Sequence, residues 1–416
     1  MNAINYIIIP AILNLFDGYT NTTGDPGMSV EMKTYYDMEL IENAEPELVH
    51  AQFGQKKPIP KGKGKTIEFR KYDPLPKALT PLTEGVTPQG QKMSASDITA
   101  TVKQYGDFIE LSDMLILTAI DNNMREAIAL LGSQAGRTLD TLTREVLNGG
   151  TNVTYADGTK LARFQLVGGE AEGVGPTKND YFTVDCVRRA VRWLKVMNAK
   201  KINGSFVAII HPDCAYDIKN DKAWEAVKTY CDPDDWYEGE IGRIEGCRFV
   251  ETTEAKTFYG ADLASDSRTL LVNDASLSGK TTVKFDGGDV AAHALKGRML
   301  IIGENLCTVT DNTSSTITIK ESITVPDDTV IYPGEGGAKG RTVYSTLFLA
   351  DHAYGVTEIE GGGLQHISKQ LGSAGTSDAL NQRATVGWKA THAAERLVEM
   401  FLHRVETCST FDIGAN

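Results

Sequence analysis

The stretch MREAIALLGSQAGRTLDTLTREVLN, from Met124 to Asn148, has the strongest helical pattern in the chain. Apolar residues recur along it every three or four positions, at Ile128, Leu131, Ala135, Leu139, Leu142 and Val146. The pair Gly149-Gly150 ends the pattern. At 1.5 Å per residue such a helix is about 37 Å long. One apolar stripe of that length predicts a spine helix that packs against a sheet.

Alternating and apolar runs on both sides of this helix predict strands. Thr66–Tyr72 (TIEFRKY) and Ile98–Leu111 alternate apolar and polar residues, the second with a break at Gly106. Ser205–Ile210 (SFVAII) and Val343–Leu349 (VYSTLFL) are mostly apolar, which predicts buried strands. Met400–Glu406 predicts a late strand.

Further helices alternate with these strands and predict a compact α/β domain. Thr183 is placed to cap a helix whose apolar face is formed by Val184, Val187, Val191, Leu194 and Met197. Pro212 suits the first turn of a second helix that runs to Ile218. The following segment, Glu240–Val250, is typical of a turn that enters a strand.

The segment Phe258–Gly340 differs from the rest of the chain. Short β runs at Arg298–Ile302, Leu306–Val309 and Thr316–Lys320 are separated by Gly, Asn, Asp and Ser turns. No helix of useful length is predicted there. The pattern indicates a small all-β insertion.

Between Gln55 and Gln91 the chain is rich in proline and glycine and strongly basic. From Lys56 to Lys77 only Glu68 and Asp73 oppose eight positive residues, which leaves +6 inside a chain of net charge −13. The eight are Lys56, Lys57, Lys61, Lys63, Lys65, Arg70, Lys71 and Lys77. The segment predicts a long basic β-hairpin arm with little core of its own.

Three interpretations of this arm remain open from its residues. It can be a solvated loop, as charge runs usually are. It can bind nucleic acid, although it lacks the interleaved aromatic residues of a single-strand platform. It can also reach across an acidic neighbouring molecule, where opposite potentials set register and specificity.

Composition limits the class of protein. A chain of 416 residues with 41% hydrophobic and 23% charged residues predicts a globular protein of two or three domains. Its acidity makes it a poor global binder of DNA. The six cysteines are spaced singly, so we expect free thiols rather than a zinc or redox motif. The apolar run Ile4–Phe16 is too short to span a bilayer and predicts either an N-terminal arm that packs on a neighbouring subunit or an irregular start of the chain.

No motif in the sequence assembles a catalytic, cofactor or metal site. Gly64-Lys65-Thr66 and Gly279-Lys280-Thr281 lack the first glycine of a phosphate-binding loop, and strands rather than helices follow them. His211 lies near Cys214, but a histidine between a strand and a proline is more often structural. His392 and His403 belong to different predicted elements and make no metal pair. We therefore expect no enzyme and no cofactor.

Eight short sequence motifs, taken in their order along the chain, resemble those of a known protein family. They are Glu45–His50 (EPELVH), Phe53–Pro60 (FGQKKPIP), Pro81–Pro88 (PLTEGVTP), Val102–Asp107 (VKQYGD), Gly149–Val153 (GGTNV), Ala208–Asp213 (AIIHPD), Gly239–Gly242 (GEIG) and Thr385–Lys389 (TVGWK). In this order they resemble the tailed-phage major capsid proteins related to that of coliphage N-four. That family shares the Hong Kong ninety-seven capsid fold. The similarity covers roughly residues 32–257 and 342–407.

The resemblance implies an α+β capsid fold and assigns its parts. It implies an N-terminal arm and helix, an extended loop that lies over an adjacent subunit, a peripheral domain with the spine helix and an axial α/β domain. The corresponding residues are 1–51, 52–97, 98–182 and 183–257, followed by the all-β insertion at 258–341 and a return to the axial and peripheral domains at 342–416.

It also implies a function and partners. The chain would self-assemble as hexamers and pentamers into the icosahedral head around the double-stranded DNA of a tailed phage. Portal and scaffolding proteins and DNA held without sequence specificity would be its partners. It would assemble in the host cytoplasm and reside in the virion, with Lys56, Lys57, Lys61, Lys63, Lys65, Arg70 and Lys71 in inter-subunit contact. An encapsulin-like compartment shell is the alternative with the same fold, and an enzyme is a third class.

Overall fold

The computed structural model describes residues 48–72, 75–82, 84–87, 90–118, 123–156, 158–168, 180–224, 242–274, 277–373 and 380–412. The predicted N-terminal arm and first helix, and Cys231, lie outside these residues. The described chain forms two compact units. The first contains residues 103–138 and 360–391, and the second contains 49–102, 139–359 and the chain after 391.

The elements are numbered in chain order. The helices are α1 (Asp113–Thr118), α2 (Asn123–Asn148), α3 (Val184–Val196) and α4 (Pro212–Lys219). The strands before α4 are β1 (Gln55–Lys56), β2 (Thr66–Tyr72), β3 (Ala95–Thr101), β4 (Lys103–Ser112), β5 (Val153–Tyr155) and β6 (Phe206–Ile210). Those that follow are β7 (Arg243–Ile244), β8 (Cys247–Glu251), β9 (Thr257–Phe258), β10 (Leu270–Val272), β11 (Leu277–Asp286), β12 (Met299–Ile302), β13 (Asn305–Asn312), β14 (Thr316–Val325), β15 (Val330–Pro333), β16 (Val343–Leu349), β17 (Tyr354–Thr357), β18 (Gln365–Lys369), β19 (Arg383–Arg396) and β20 (Leu402–Thr407).

The spine helix is confirmed as α2, and its buried stripe differs from the prediction near its end. Leu142 and Val146 are half-buried, whereas Thr143 and Leu147 are buried. The stripe continues in steps of four from Leu139, so a polar residue falls on it. Thr143 is tolerated because its hydroxyl donates to the carbonyl of Leu139 at 3.1 Å.

In the first unit, β19 pairs with β18 and with β4. The predicted strand break at Gly106 is wrong, since Gly106 lies inside β4. A Cβ there would approach the carbonyl oxygen of Trp388 to 2.5 Å, so glycine permits the close approach of the two strands. The break falls at Val102, a buried residue whose N–H donates to the carbonyl of Lys65.

The second unit contains a seven-stranded sheet in the order β5-β20-β16-β6-β8-β7, with β9 paired to the end of β16. Every residue of β6 and β16 is buried. One sheet face packs Phe206 and Phe348 against α3, and the other packs Val207 and Leu347 against the end of α2. Burial on both faces explains why the two predicted buried strands lack alternation.

The helices beside this sheet begin close to the predicted residues. Thr183 is the N-cap of α3, but its side chain accepts no capping hydrogen bond. The carboxylate of Asp221 accepts instead from the N–H of Val184 at 2.9 Å. Pro212 opens α4 as predicted, and Nδ1 of its N-cap His211 accepts from the N–H of Asp213.

The segment after β9 is β structure, as predicted, and closes into a six-stranded barrel. Its strand order is β10-β11-β14-β13-β12-β15, and β15 pairs again with β10. Eighteen buried residues form a core of its own. The chain enters and leaves the barrel at one place, because Phe258 of β9 pairs with Val343 of β16 in antiparallel register.

That pairing predicts a clean deletion. Replacement of residues 259–342 by Asn-Gly joins two paired positions by a two-residue turn, which suits an antiparallel hairpin. We expect the shortened chain to give a folded far-ultraviolet circular dichroism spectrum and one thermal transition. We also expect the excised segment 259–342 to fold alone on its own core. An unfolded spectrum from both pieces would contradict a self-contained insertion.

Candidate assembly surface

The predicted arm leaves the second unit from a firmly held base. We call residues 49–59 the root and residues 61–101, which include β2 and β3, the arm. His50 and Asp140 are both fully buried. The N–H of His50 donates to one carboxylate oxygen of Asp140 at 2.7 Å, and its Nδ1 lies 2.6 Å from the other. Tyr354 donates its hydroxyl to the carbonyl of His50.

The root then runs parallel to β17. Gln55 pairs with Gly355, and Lys56 with Val356. Backbone hydrogen bonds continue this contact to Ile59, whose N–H donates to the carbonyl of Glu358 at 2.8 Å. Backbone hydrogen bonds therefore fix residues 55–59 of the root, and the contacts of His50 with Asp140 and Tyr354 fix its start.

Two buried side chains lie near the base of the arm, Phe69 of β2 and Ala100 of β3. Phe69 of β2 is only 4% exposed and lies over Gly355, where a Cβ would be 2.7 Å from the ring. β2 and β3 pair over seven residues, from Thr66–Thr101 to Tyr72–Ala95. Beyond Tyr72 every described residue as far as Asp97 is exposed.

The structure separates the seven predicted contact residues. Lys56 and Lys57 belong to the root, and the ammonium of Lys57 donates to the carbonyl of Glu68 at 3.2 Å. Lys61, Lys63 and Lys65 are exposed at the base of the arm. Arg70 and Lys71 belong to β2.

Arg70 and Lys71 are less available than those lysines. Arg70 forms an ion pair across the hairpin with Asp97 at 2.9 Å, and this pair raises the pKa of its guanidinium. Lys71 is half-buried. The free positive charge of the arm therefore lies mainly at its base.

Apolar side chains on the arm were missed by sequence reasoning. Large apolar residues are exposed along its outer part, namely Tyr72, Leu75, Leu79, Leu82, Val86 and Met93. Leu79 and Leu82 are 82% and 77% exposed. Their signal in the sequence is the set of leucines that lie between the prolines. An exposed apolar patch of this kind marks an interaction surface.

The cysteine thiols and the possible metal ligands of the described residues form no reactive site. Burial raises the pKa of the Cys214 thiol well above its usual value, so this thiol is a poor nucleophile. Among the described residues, no group of three or more His, Cys, Asp or Glu side chains could hold a metal ion. The five described cysteines are free. No helix in the described chain is long and apolar enough to cross a membrane.

His392 and His403 are buried separately. Nε2 of His392 lies 2.9 Å from the hydroxyl of Thr143, and Nδ1 of His403 lies 2.9 Å from the amide oxygen of Asn152. Burial lowers the pKa of each imidazole to about 4. Both are therefore neutral at neutral pH.

These two histidines predict acid sensitivity. Between pH 6.5 and 4 the unfolded chain binds protons at these side chains and the folded chain does not, so the free energy of unfolding falls as pH falls. We expect each histidine to lower the free energy of unfolding by about 2 to 3 kcal/mol at pH 4.5 relative to pH 7. Urea unfolding at both pH values measures this loss. His403→Gln should reduce it, whereas His352→Asn, at an exposed site, should not.

The contact of Phe69 with Gly355 predicts that Gly355→Ala loosens the arm. The added methyl group displaces the ring, at a cost of about 1 to 3 kcal/mol. We expect the amides of Ile67–Tyr72 to exchange hydrogen about tenfold faster. Gly90→Ala is the matched control, because a Cβ there meets nothing within 4 Å. Equal exchange in both variants would show that Phe69 does not hold the arm.

Comparisons with known proteins agree with this architecture. A model of the phage capsid protein family matches residues 95–304, half of the chain. The capsid of cyanophage Pam1 has a TM-score of 0.50 and 12% identity, and the match covers 85% of this chain and 87% of that one. The capsid of cyanophage P-SCSP1u has a TM-score of 0.49 and 11% identity, with 86% and 87% covered. The capsid of Ralstonia phage GP4 has a TM-score of 0.49 and 12% identity, and the match covers 88% of this chain and 89% of that one.

No curated protein matches the chain significantly in sequence. The family match is sufficient for an assignment, and the Pam1 likeness supports the fold alone. The chain belongs to the phage capsid protein family. It is a major capsid protein with an α+β capsid fold and a structural protein of the virion. The alternative, an encapsulin-like compartment shell, is not favoured.

Proposed function

We propose that copies of this chain close, as hexamers and pentamers, into the icosahedral head around the double-stranded DNA of a tailed phage. The arm carries this proposal. Its outer part exposes large apolar side chains, and its root is held firmly in the second unit. Burial of these side chains against another copy removes apolar surface from water and favours association.

Charge supplies register for that contact. The chain from Lys56 to Lys77 carries +6 in a protein of −13, so the remainder carries −19. A basic arm base is therefore attracted to the acidic remainder of a neighbouring copy. Lys61, Lys63 and Lys65 are exposed charges at the base of the arm that can take part.

The barrel has the opposite surface character. Of its described residues, Met299 is the one large apolar side chain that is exposed. Such a surface is suited to solvent and supports a place on the outside of the shell rather than a clamp between neighbours.

The other expected partners follow from the proposal. An acidic shell can enclose DNA without adhering to it, so the genome is held without sequence specificity. Portal and scaffolding proteins guide closure in the host cytoplasm. The shell itself needs no catalysis from this chain.

Charge reversal at the arm base tests the proposal. We expect the triple variant Lys61→Glu, Lys63→Glu and Lys65→Glu to fold normally but to reduce the yield of shells at least about tenfold, since the arm would then repel its acidic neighbour. Negative-stain electron microscopy and sedimentation measure the yield.

The matched control is the triple variant Lys284→Glu, Lys296→Glu and Lys320→Glu on the exposed barrel surface. It makes the same change in net charge away from the arm, and we expect it to form shells. Normal shells from the arm variant, or equal loss from both, would refute the arm contact.

A further inference from the structure

Helix α1 exposes an apolar surface that the arm does not explain. Met114, Leu115, Ile116 and Leu117 are 63%, 43%, 37% and 77% exposed. Consecutive residues of a helix point about 100° apart, so these four surround the helix axis. α1 therefore presents apolar surface on every side, which a flat partner could not cover.

The neighbourhood of α1 extends this surface. β4 leads directly into α1, and the N–H of Asp113 donates to the carbonyl of Gln382 at 3.0 Å. Close to this contact in sequence, Leu380 is 76% exposed. Met114–Leu117 form an apolar patch on the first unit, which we call the α1 patch.

We propose that the apolar N-terminal segment Ile4–Phe16 covers the α1 patch. This segment, INYIIIPAILNLF, contains nine large apolar residues among thirteen and no charged residue. The side chains of Met114–Leu117 are also uncharged. Docking of the two therefore requires no charge to leave water, which makes the pairing favourable.

Chain length allows the contact. The described chain begins at Leu48, and residues 17–47 connect it to the segment. Thirty-one extended residues span on the order of 100 Å, so the segment can reach an α1 patch on its own or a neighbouring copy. An uncharged segment of thirteen residues is also long enough to cover more than one side of a short helix.

The arm is a weaker candidate for the same patch. Its exposed leucines and valine alternate with Lys77, Glu84 and Lys92, and docking would remove some of these charges from water. The first unit is nearly neutral in its described residues, so it does not attract the basic arm.

Photocrosslinking of the full chain tests the proposal. A benzophenone amino acid at position 117, in place of Leu117, is irradiated in free subunits and in shells, and crosslinked peptides are identified by mass spectrometry. We expect crosslinks to residues 4–16, within one chain or between two. Crosslinks only to the arm or to another α1, or none, would overturn the proposal. Because free subunits are also examined, the outcome does not depend on shell formation.

Paired variants give a second readout. Ile8→Asp and Leu117→Asp should each raise binding of a hydrophobic dye several-fold, and the double variant should add little more, because either change alone separates the surfaces. Leu161→Asp, at a site 85% exposed in the second unit, is the control and should raise no binding. Additive effects of the two patch variants would count against a shared contact.

Discussion

The burial of strand β16 is the constraint on which the second unit depends. β16 is hydrogen-bonded to β6 on one edge and to β20 on the other, and both its faces are covered. The barrel enters and leaves beside its first residue, Val343. The chain that leaves its last residue reaches β17, which holds the root of the arm. A polar substitution within β16 would therefore disturb the core, the insertion point and the arm together.

A rigid core of this kind allows two attachments with opposite surfaces. The barrel has its own apolar core and a largely polar exterior, which is suited to contact with solvent. The arm has almost no core and exposes apolar side chains, which a neighbouring copy covers in the shell that we propose. The buried pair of His50 and Asp140 holds the root of the arm. It fixes where the arm starts but does not restrict the position of its outer end. Removal of either partner would leave a buried charge or dipole unpaired, which is costly.

Local patterns predicted much of this fold, and contacts between distant residues account for what they missed. The spine helix, β2 and β16 agree with their predicted bounds to within one residue, because periodicity and burial act within each segment. Closure of the barrel depends on pairing between β10 and β15, which are far apart in sequence. The break at Val102 and the role of Gly106 depend on partners at Lys65 and Trp388, which a linear pattern cannot contain. The basic residues and the leucines of the arm are both visible in the sequence, but the exposure of the leucines follows only from the fold, in which the arm has almost no core to bury them.

Methionine oxidation tests most directly the claim that the arm is buried between copies. Met93 on the arm is 73% exposed in the single chain, and Met299 on the barrel is 42% exposed. Shells of the purified chain and free subunits would be treated with hydrogen peroxide, and oxidation at each methionine followed by mass spectrometry. We expect Met93 to be protected in shells, and Met299 to react at the same rate in shells and in free subunits. Equal oxidation of Met93 in shells and subunits would contradict it.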